Sequence, residues 1–264
     1  MDRLFDSVFV RPPSTSYEHC VSSHPDKDNI DVQLAWEQHR SYVSILKENG
    51  INVLELPPLE NYPDAVFLQD AAVLGVRRSI IGRFGELSRR GEENELVNEL
   101  DQIDLMRESS MLQIEVPGTL EGGDIMITDQ KQLFVGQSSR TNSSGILQLQ
   151  NLLHDMKVTK VGTKLFHLLC GCSYLSKSTM IITPEIISSD NFPGLKYVKL
   201  RKEDAYASDA LYLGERQVLI PSGYPGASKK LKEAGYTPVE VNVSEFQRGD
   251  GGVTCLCSPV YNLL

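Results

Sequence analysis

The sequence predicts a mixed α/β fold assembled from a repeated unit, and three observations carry that prediction. A helix, glycine, strand module occurs twice. Strand-like runs outnumber helices, with one helix every few strands. Five polar residues, Asp70, Glu121, His167, Asp209 and Cys255, each head a short apolar run, at separations of 51, 46, 42 and 46 residues. Repeats of roughly 40–50 residues are typical of propellers and arrays, where each unit lends its apolar face to its neighbours. Five such units fill the 264 residues. If they close into a ring, the five strand heads converge on its axis in one central pocket.

In chain order, residues 4 to 10 read as a strand. Residues 31 to 49 form the clearest helix, with apolar positions at Val32, Leu34, Ala35, Tyr42, Val43, Ile45 and Leu46, Asp31 as its cap and Gly50 as its terminator. Ile51 to Leu56 then read as a strand, and the same pattern returns from Lys232 through Gly235 to Val241. Further helices are expected at about 88 to 101 and 142 to 156. Further strands are expected at 65 to 68, 72 to 76, 79 to 82, 125 to 127, 132 to 135, 180 to 183, 209 to 213 and 217 to 220. The length allows one large domain or two ordinary ones, and the repeat favours one, spanning 1–264.

Composition narrows the partners. With 26 Lys and Arg against 35 Asp and Glu, the net charge is −9, which repels phosphate backbones and anionic lipid. No nucleic-acid or membrane partner is expected, and an oligomer stays open. No apolar run approaches the roughly 18 residues of a membrane span, and the start Met1-Asp2-Arg3-Leu4 lacks a signal-peptide layout, so the expected location is cytoplasmic. Five cysteines, an odd number, do not form a secreted disulfide framework, and at least one thiol stays free.

Three stretches carry chemistry: Leu120-Glu121-Gly122-Gly123-Asp124, Phe166-His167-Leu168 and Gly251-Gly252-Val253-Thr254-Cys255. A carboxylate, an imidazole and a thiol are the parts needed to attack a flat cationic carbon such as a guanidinium, protonate the departing amine and hold the positive group. Each has a plainer reading: Cys255 as a small buried hydrophobe, His167 as a satisfied core histidine, and Asp64, Asp70, Glu121 and Asp124 as solvated acids. Arg83 and Arg140 could clamp a substrate carboxylate bidentately, or lie on the surface. Arg89-Arg90, on a polar helix start, reads as solvated. Cys170-Gly171-Cys172 and Cys255-Leu256-Cys257 suggest a metal, but one intervening residue is too few for paired zinc ligands, and alternating strand positions face opposite sides. No metal is expected.

These motifs resemble those of the dimethylarginine dimethylaminohydrolases, in the wider pentein group that includes arginine deiminases. The resemblance spans nearly the whole chain, through Ile30-Asp31-Val32, Gln38-His39, Tyr42-Val43, Pro63-Asp64-Ala65-Val66-Phe67-Leu68-Gln69-Asp70, Leu120 to Asp124, Ser139-Arg140-Thr141-Asn142, Phe166-His167-Leu168 and Thr254-Cys255. It implies a five-bladed α/β propeller of ββαβ-type repeats around a central pocket, and no cofactor. It further implies Cys255 as nucleophile, His167 as general acid/base, and Asp70 and Glu121 as guanidinium anchors, with Glu121 counted in the catalytic set. Arg83 and Arg140 would take the substrate α-carboxylate. Asp64 and backbone carbonyls near Val21 and Gly249 would take the α-amine, and Phe67 and Gln69 would complete the substrate-binding set. The implied reaction is hydrolysis of Nω-methylated L-arginine to L-citrulline and a methylamine through a covalent thiouronium. The alternatives are an arginine deiminase and a non-catalytic arginine-binding pentein. Gln69 stands where the family often has Glu, and Leu169 where Lys commonly follows the His-Leu pair. Residues 17 to 29 are polar, as a mobile lid over the site would be.

Overall fold

The computed structural model describes residues 3–264; Met1 and Asp2, which entered the reading of the chain start, lie outside them. Fifteen strands are described: β1 Phe5–Val10, β2 Asn52–Glu55, β3 Ala72–Gly75, β4 Arg78–Ile81, β5 Ser110–Gln113, β6 Ile125–Ile127, β7 Gln132–Gln137, β8 Lys157–Gly162, β9 Cys172–Ser176, β10 Thr179–Ile182, β11 Lys196–Lys199, β12 Leu211–Gly214, β13 Gln217–Pro221, β14 Thr237–Val241 and β15 Cys257–Tyr261. The α-helices are α1 Val32–Glu48, α2 Glu92–Leu100, α3 Ser143–Leu152, α4 Pro225–Glu233 and α5 Ser244–Arg248.

The strands sort into five units of one design. In each, a first strand pairs antiparallel with a second, and the second pairs parallel with a third: β15-β1-β2, β3-β4-β5, β6-β7-β8, β9-β10-β11 and β12-β13-β14. A parallel pair needs a crossover. Helices α1, α2, α3 and α4 provide it in four units, and the unit of β9 to β11 crosses through a 3-10 turn at Ser189–Asn191 instead. Parallel pairing of β15 with β3 fuses the first two units into one six-stranded mixed sheet. Among the described residues no helix is long and apolar enough to cross a membrane.

Local chemistry explains the elements. The Asp31 side chain accepts from the backbone N–H of Leu34 at 3.0 Å and caps α1, and Asn142 caps α3 by accepting from Gly145 N at 2.8 Å. Gly50 (φ +68°) and Gly235 (φ +81°) take the left-handed conformation that ends α1 and α4 ahead of their strands, which is the module visible in the sequence. Each helix buries one face on its unit: Leu96 and Leu100 join Leu74 and Ile81, Ile146 and Leu149 join Ile127 and Val135, and Ala227 and Leu231 join Val218 and Ile220. Full burial of one such leucine contributes about 1.5–3 kcal/mol.

The strand expected at 65 to 68 is not one. Pro63–Val66 and Leu68–Asp70 are 3-10 turns on either side of Phe67. Pro63, at a first helical position, has its φ fixed for a helical turn.

Candidate active site

The five periodic residues stand two to five positions ahead of the first strand of their units: Asp70 before β3, Glu121 before β6, His167 before β9, Asp209 before β12 and Cys255 before β15. All are 7% exposed or less. The side chains of Asp70, His167 and Glu121 meet in a chain of short contacts and Asp209 meets Cys255, although the five are spread over most of the sequence.

His167 is the centre of that chain. Its Nε2 lies 2.8 Å from Glu121 Oε2 and its Nδ1 3.6 Å from Asp70 Oδ1. Burial alone would lower the imidazole's pKa, but the carboxylates of Asp70, Glu121 and Asp124 outweigh it and push it up to about 9. His167 is therefore an imidazolium at neutral pH, with both nitrogens protonated. Gly123 makes the close approach possible, since a Cβ there would lie 2.7 Å from both Asp70 Oδ1 and His167 Nδ1. Asp124 fixes the backbone behind the ring by accepting from Leu168 N at 2.9 Å and from Ser138 Oγ at 2.6 Å.

Asp70, Glu121 and His167 are close enough to suggest a metal site. The contacts have a simpler cause, because hydrogen bonds and opposite charge account for each of them. Glu121 Oε1 accepts from Gly85 N at 2.8 Å and its Oε2 faces His167, a placement that suits orientation of the imidazole.

Arg89 is a further correction. It is 3% exposed, not solvated. Its guanidinium donates to Asp70 Oδ2 at 2.7 Å, to both oxygens of Glu92, and to the carbonyls of Asp64 and Phe67. Arg140 stacks over the Phe166 ring, 4.1 Å from its centroid, with Nη1 3.6 Å from Glu121 Oε1. Both arginines line the cleft, together with Val21, Asp64, Phe67, Asp70, His167, Gly249 and Cys255.

Two expected residues lie elsewhere. Arg83 forms a backbone bridge with Leu120 just after β4, and its guanidinium donates to the Gly118 carbonyl at 3.1 Å, outside the cleft. Gln69 lines a neighbouring apolar cavity with Leu4, Ile125 and Thr254. In a 3-10 turn, with three residues per turn, adjacent side chains diverge by about 120°, so Gln69 and Asp70 cannot share a direction. Leu169 packs into an apolar cluster with Met126 and Phe134.

Of residues 17 to 29, Val21 lines the cleft, and the segment around it is tied down. Val21 N donates to both oxygens of Asp64 at 3.1 Å, Ser22 Oγ to the Arg248 carbonyl at 2.6 Å, and Ser23 Oγ to Asp250 Oδ2 at 2.9 Å. Asp250 holds φ +58°, an unusual conformation for a residue with a side chain, beside the glycines that flank the thiol. Gly251 packs on the Phe67 ring so closely that a Cβ would lie 2.1 Å away.

Cys255 is in the thiol form. Burial pushes its pKa well up, and Asp209 and Asp70 add to the shift. Asp209, picked out by the period but given no role, has Oδ2 3.7 Å from Cys255 Sγ. All five cysteines are unpaired.

Fold and site define a class: a mixed α/β protein of ββαβ units that gathers a thiol, an imidazolium and several carboxylates at the heads of its first strands. The chain belongs to the dimethylarginine dimethylaminohydrolase family, since the family model described as N,N dimethylarginine dimethylhydrolase, eukaryotic, matches residues 8–262. An uncharacterized protein of Aeropyrum pernix is 39% identical, over 100% of this chain and 98% of its own length. The N(G),N(G)-dimethylarginine dimethylaminohydrolase of Pseudomonas aeruginosa is 34% identical, over 96% of this chain and 98% of its own. A solved structure of that bacterium's enzyme, a cysteine-to-serine mutant complexed with citrulline, superposes with a TM-score of 0.86 at 30% identity, covering 97% of this chain and 100% of its own.

Proposed function

We propose that this chain is an amidine hydrolase that converts Nω-methylated L-arginine to L-citrulline and a methylamine through a covalent thiouronium on Cys255. The observation that carries the reading is a buried imidazolium held between Asp70 and Glu121 in the cleft that also holds the thiol. Family membership supports the substrate class.

The roles follow from chemistry. A guanidinium entering beside Asp70 brings a positive charge next to Cys255, which favours the thiolate. The thiolate attacks the central carbon, His167 protonates the departing amine, and an amidinium thioether, the thiouronium, remains on sulfur. His167, now neutral, takes a proton from water as the oxygen adds, and collapse of the adduct releases the ureido product and regenerates the thiol. Glu121 keeps the imidazole oriented throughout. Arg89 and Arg140 suit the substrate α-carboxylate, and Asp64 with the Val21 and Gly249 backbone suits its α-ammonium.

We further infer that the five units close into a ring, the five-bladed α/β propeller of the penteins, as one catalytic domain over 1–264. Five unpaired cysteines fit the reducing cytoplasm.

The assay is amine identification. Nω,Nω-dimethyl-L-arginine is expected to release dimethylamine with a higher kcat/KM than L-arginine releases ammonia. The reverse order makes the protein a deiminase, and binding without release of either amine makes it a binding protein.

The pH profile has a fixed sign. His167 works as an acid, so its catalytic form is present below about 9 and is lost as pH rises through that value. A plot of log kcat/KM against pH, which reports the free enzyme, should therefore fall on the alkaline side with a break near 9. A rate that keeps climbing past pH 10 means that the acid is another group.

A further inference from the structure

We propose that Asp209 is the group that accepts the Cys255 proton when substrate binds; this rests on the reaction proposed above. His167 cannot accept it in the resting enzyme. Its two nitrogens carry protons that face Asp70 and Glu121, so the imidazolium has no lone pair to offer. The carboxylate oxygen within hydrogen-bonding reach of Sγ is Asp209 Oδ2, at 3.7 Å.

The surroundings of Asp209 fit an acceptor. Its Oδ1 is fixed by Thr254 N at 2.8 Å, which leaves Oδ2 to the thiol. Gly252 keeps that oxygen accessible, because a Cβ there would lie 2.2 Å from Oδ2. Asp70 has Arg89 as its cation and Glu121 has His167, but among the described residues Asp209 has none. The titratable groups that face it are Asp70, Cys170, Cys172, Cys255, Cys257, Tyr42 and Tyr206, all neutral or anionic. Burial pushes Asp209 up to about 6. At neutral pH it is a carboxylate, with enough proton affinity to become an acid.

The step balances. The Sγ–H bond breaks and an Oδ2–H bond forms, so a thiolate and a neutral Asp209 replace a thiol and a carboxylate. When the C–S bond later breaks, the Oδ2 proton returns to sulfur. The hydroxyl proton of the collapsing adduct goes to the free amine, which leaves as ammonium. One guanidinium cation and one water enter; one neutral ureido amino acid and one ammonium leave.

Asp209→Asn keeps the shape and the Thr254 contact but removes the acceptor. Steady-state turnover near neutral pH should fall at least about a hundredfold, with KM changed less than about threefold. Alkylation of Cys255 by iodoacetamide without substrate, followed by peptide mass, should move the opposite way and accelerate, because a negative charge that raises the thiol pKa is gone. A loss of packing would not slow one reaction and speed the other. Turnover within threefold of wild type, or turnover and alkylation falling together, overturns the assignment. The wild-type enzyme gives a separate check: kcat/KM should rise with pH through about 6 as Asp209 ionises, and a profile flat from about pH 5 to 8 overturns the proposal whatever the variant does. If wild type releases no amine from any arginine, the activity reading fails instead, and the alkylation contrast alone decides whether Asp209 controls the thiol.

Discussion

Cys255→Ser is expected to lower kcat by about 10⁴ or more while leaving the unfolding transition nearly in place. The oxygen fits the same buried volume, and Asp209 Oδ2 can accept its hydrogen. A hydroxyl is nevertheless far harder to ionise than a thiol, and a neighbouring cation does not close that gap. Cys257→Ser is the control. That side chain heads β15 in the apolar core, two residues from the nucleophile, so the variant should keep most of the wild-type rate. Equal losses in the two variants, or near-normal turnover by Cys255→Ser, would remove the thiol from the mechanism.

Arg89→Met should cost both stability and activity. The guanidinium is buried between Asp70 and Glu92 and also satisfies two backbone carbonyls. Removing one partner of a buried charge cluster leaves the others unpaired, at about 3–5 kcal/mol. Burial already pushes Glu92 up to about 7 with the arginine present, and without it the carboxyl should take up a proton near neutral pH. Urea unfolding measures the loss, and Arg83→Met, which breaks a single partly buried bond to a carbonyl, should cost under about 1.5 kcal/mol. Similar midpoints for the two variants would mean that the cluster around Arg89 contributes little to stability.

The contrast between these two arginines shows where the sequence was legible. First strands are buried on both faces, as in Ala72-Val73-Leu74-Gly75, so each reads as an apolar run with one polar residue at its head. That regularity exposed the period and, with it, five residues of the site. Third strands are half-exposed and carry charge: Lys157-Val158-Thr159-Lys160-Val161-Gly162 and Lys196-Tyr197-Val198-Lys199 gave no apolar run to find. Arg89 is hidden because its neighbours Ser88 and Arg90 are polar, while its partners Asp70 and Asp64 lie 19 and 25 residues away. The Glu92 three positions on was the one local signal. Arg83 follows the apolar run Ile80-Ile81-Gly82, a position that serves a backbone bridge. The resemblance supplied roles; it could not supply the direction of Gln69, which depends on the pitch of a 3-10 turn.

Strand β15 belongs to the first unit yet comes last in sequence, pairing Phe5 with Tyr261 and Val10 with Cys257. Its head carries Cys255. The thiol therefore joins its neighbours only when the most sequence-distant pairing of the chain forms, so closing the first unit and arming the site are one event. Pairing over such a span is slow compared with local hairpins. A polypeptide emerging from the ribosome can complete four units, with the imidazolium and its carboxylates already assembled, and still be inert. Guanidine chemistry is thus withheld until the protein is whole, because sulfur, imidazolium and carboxylates act only together.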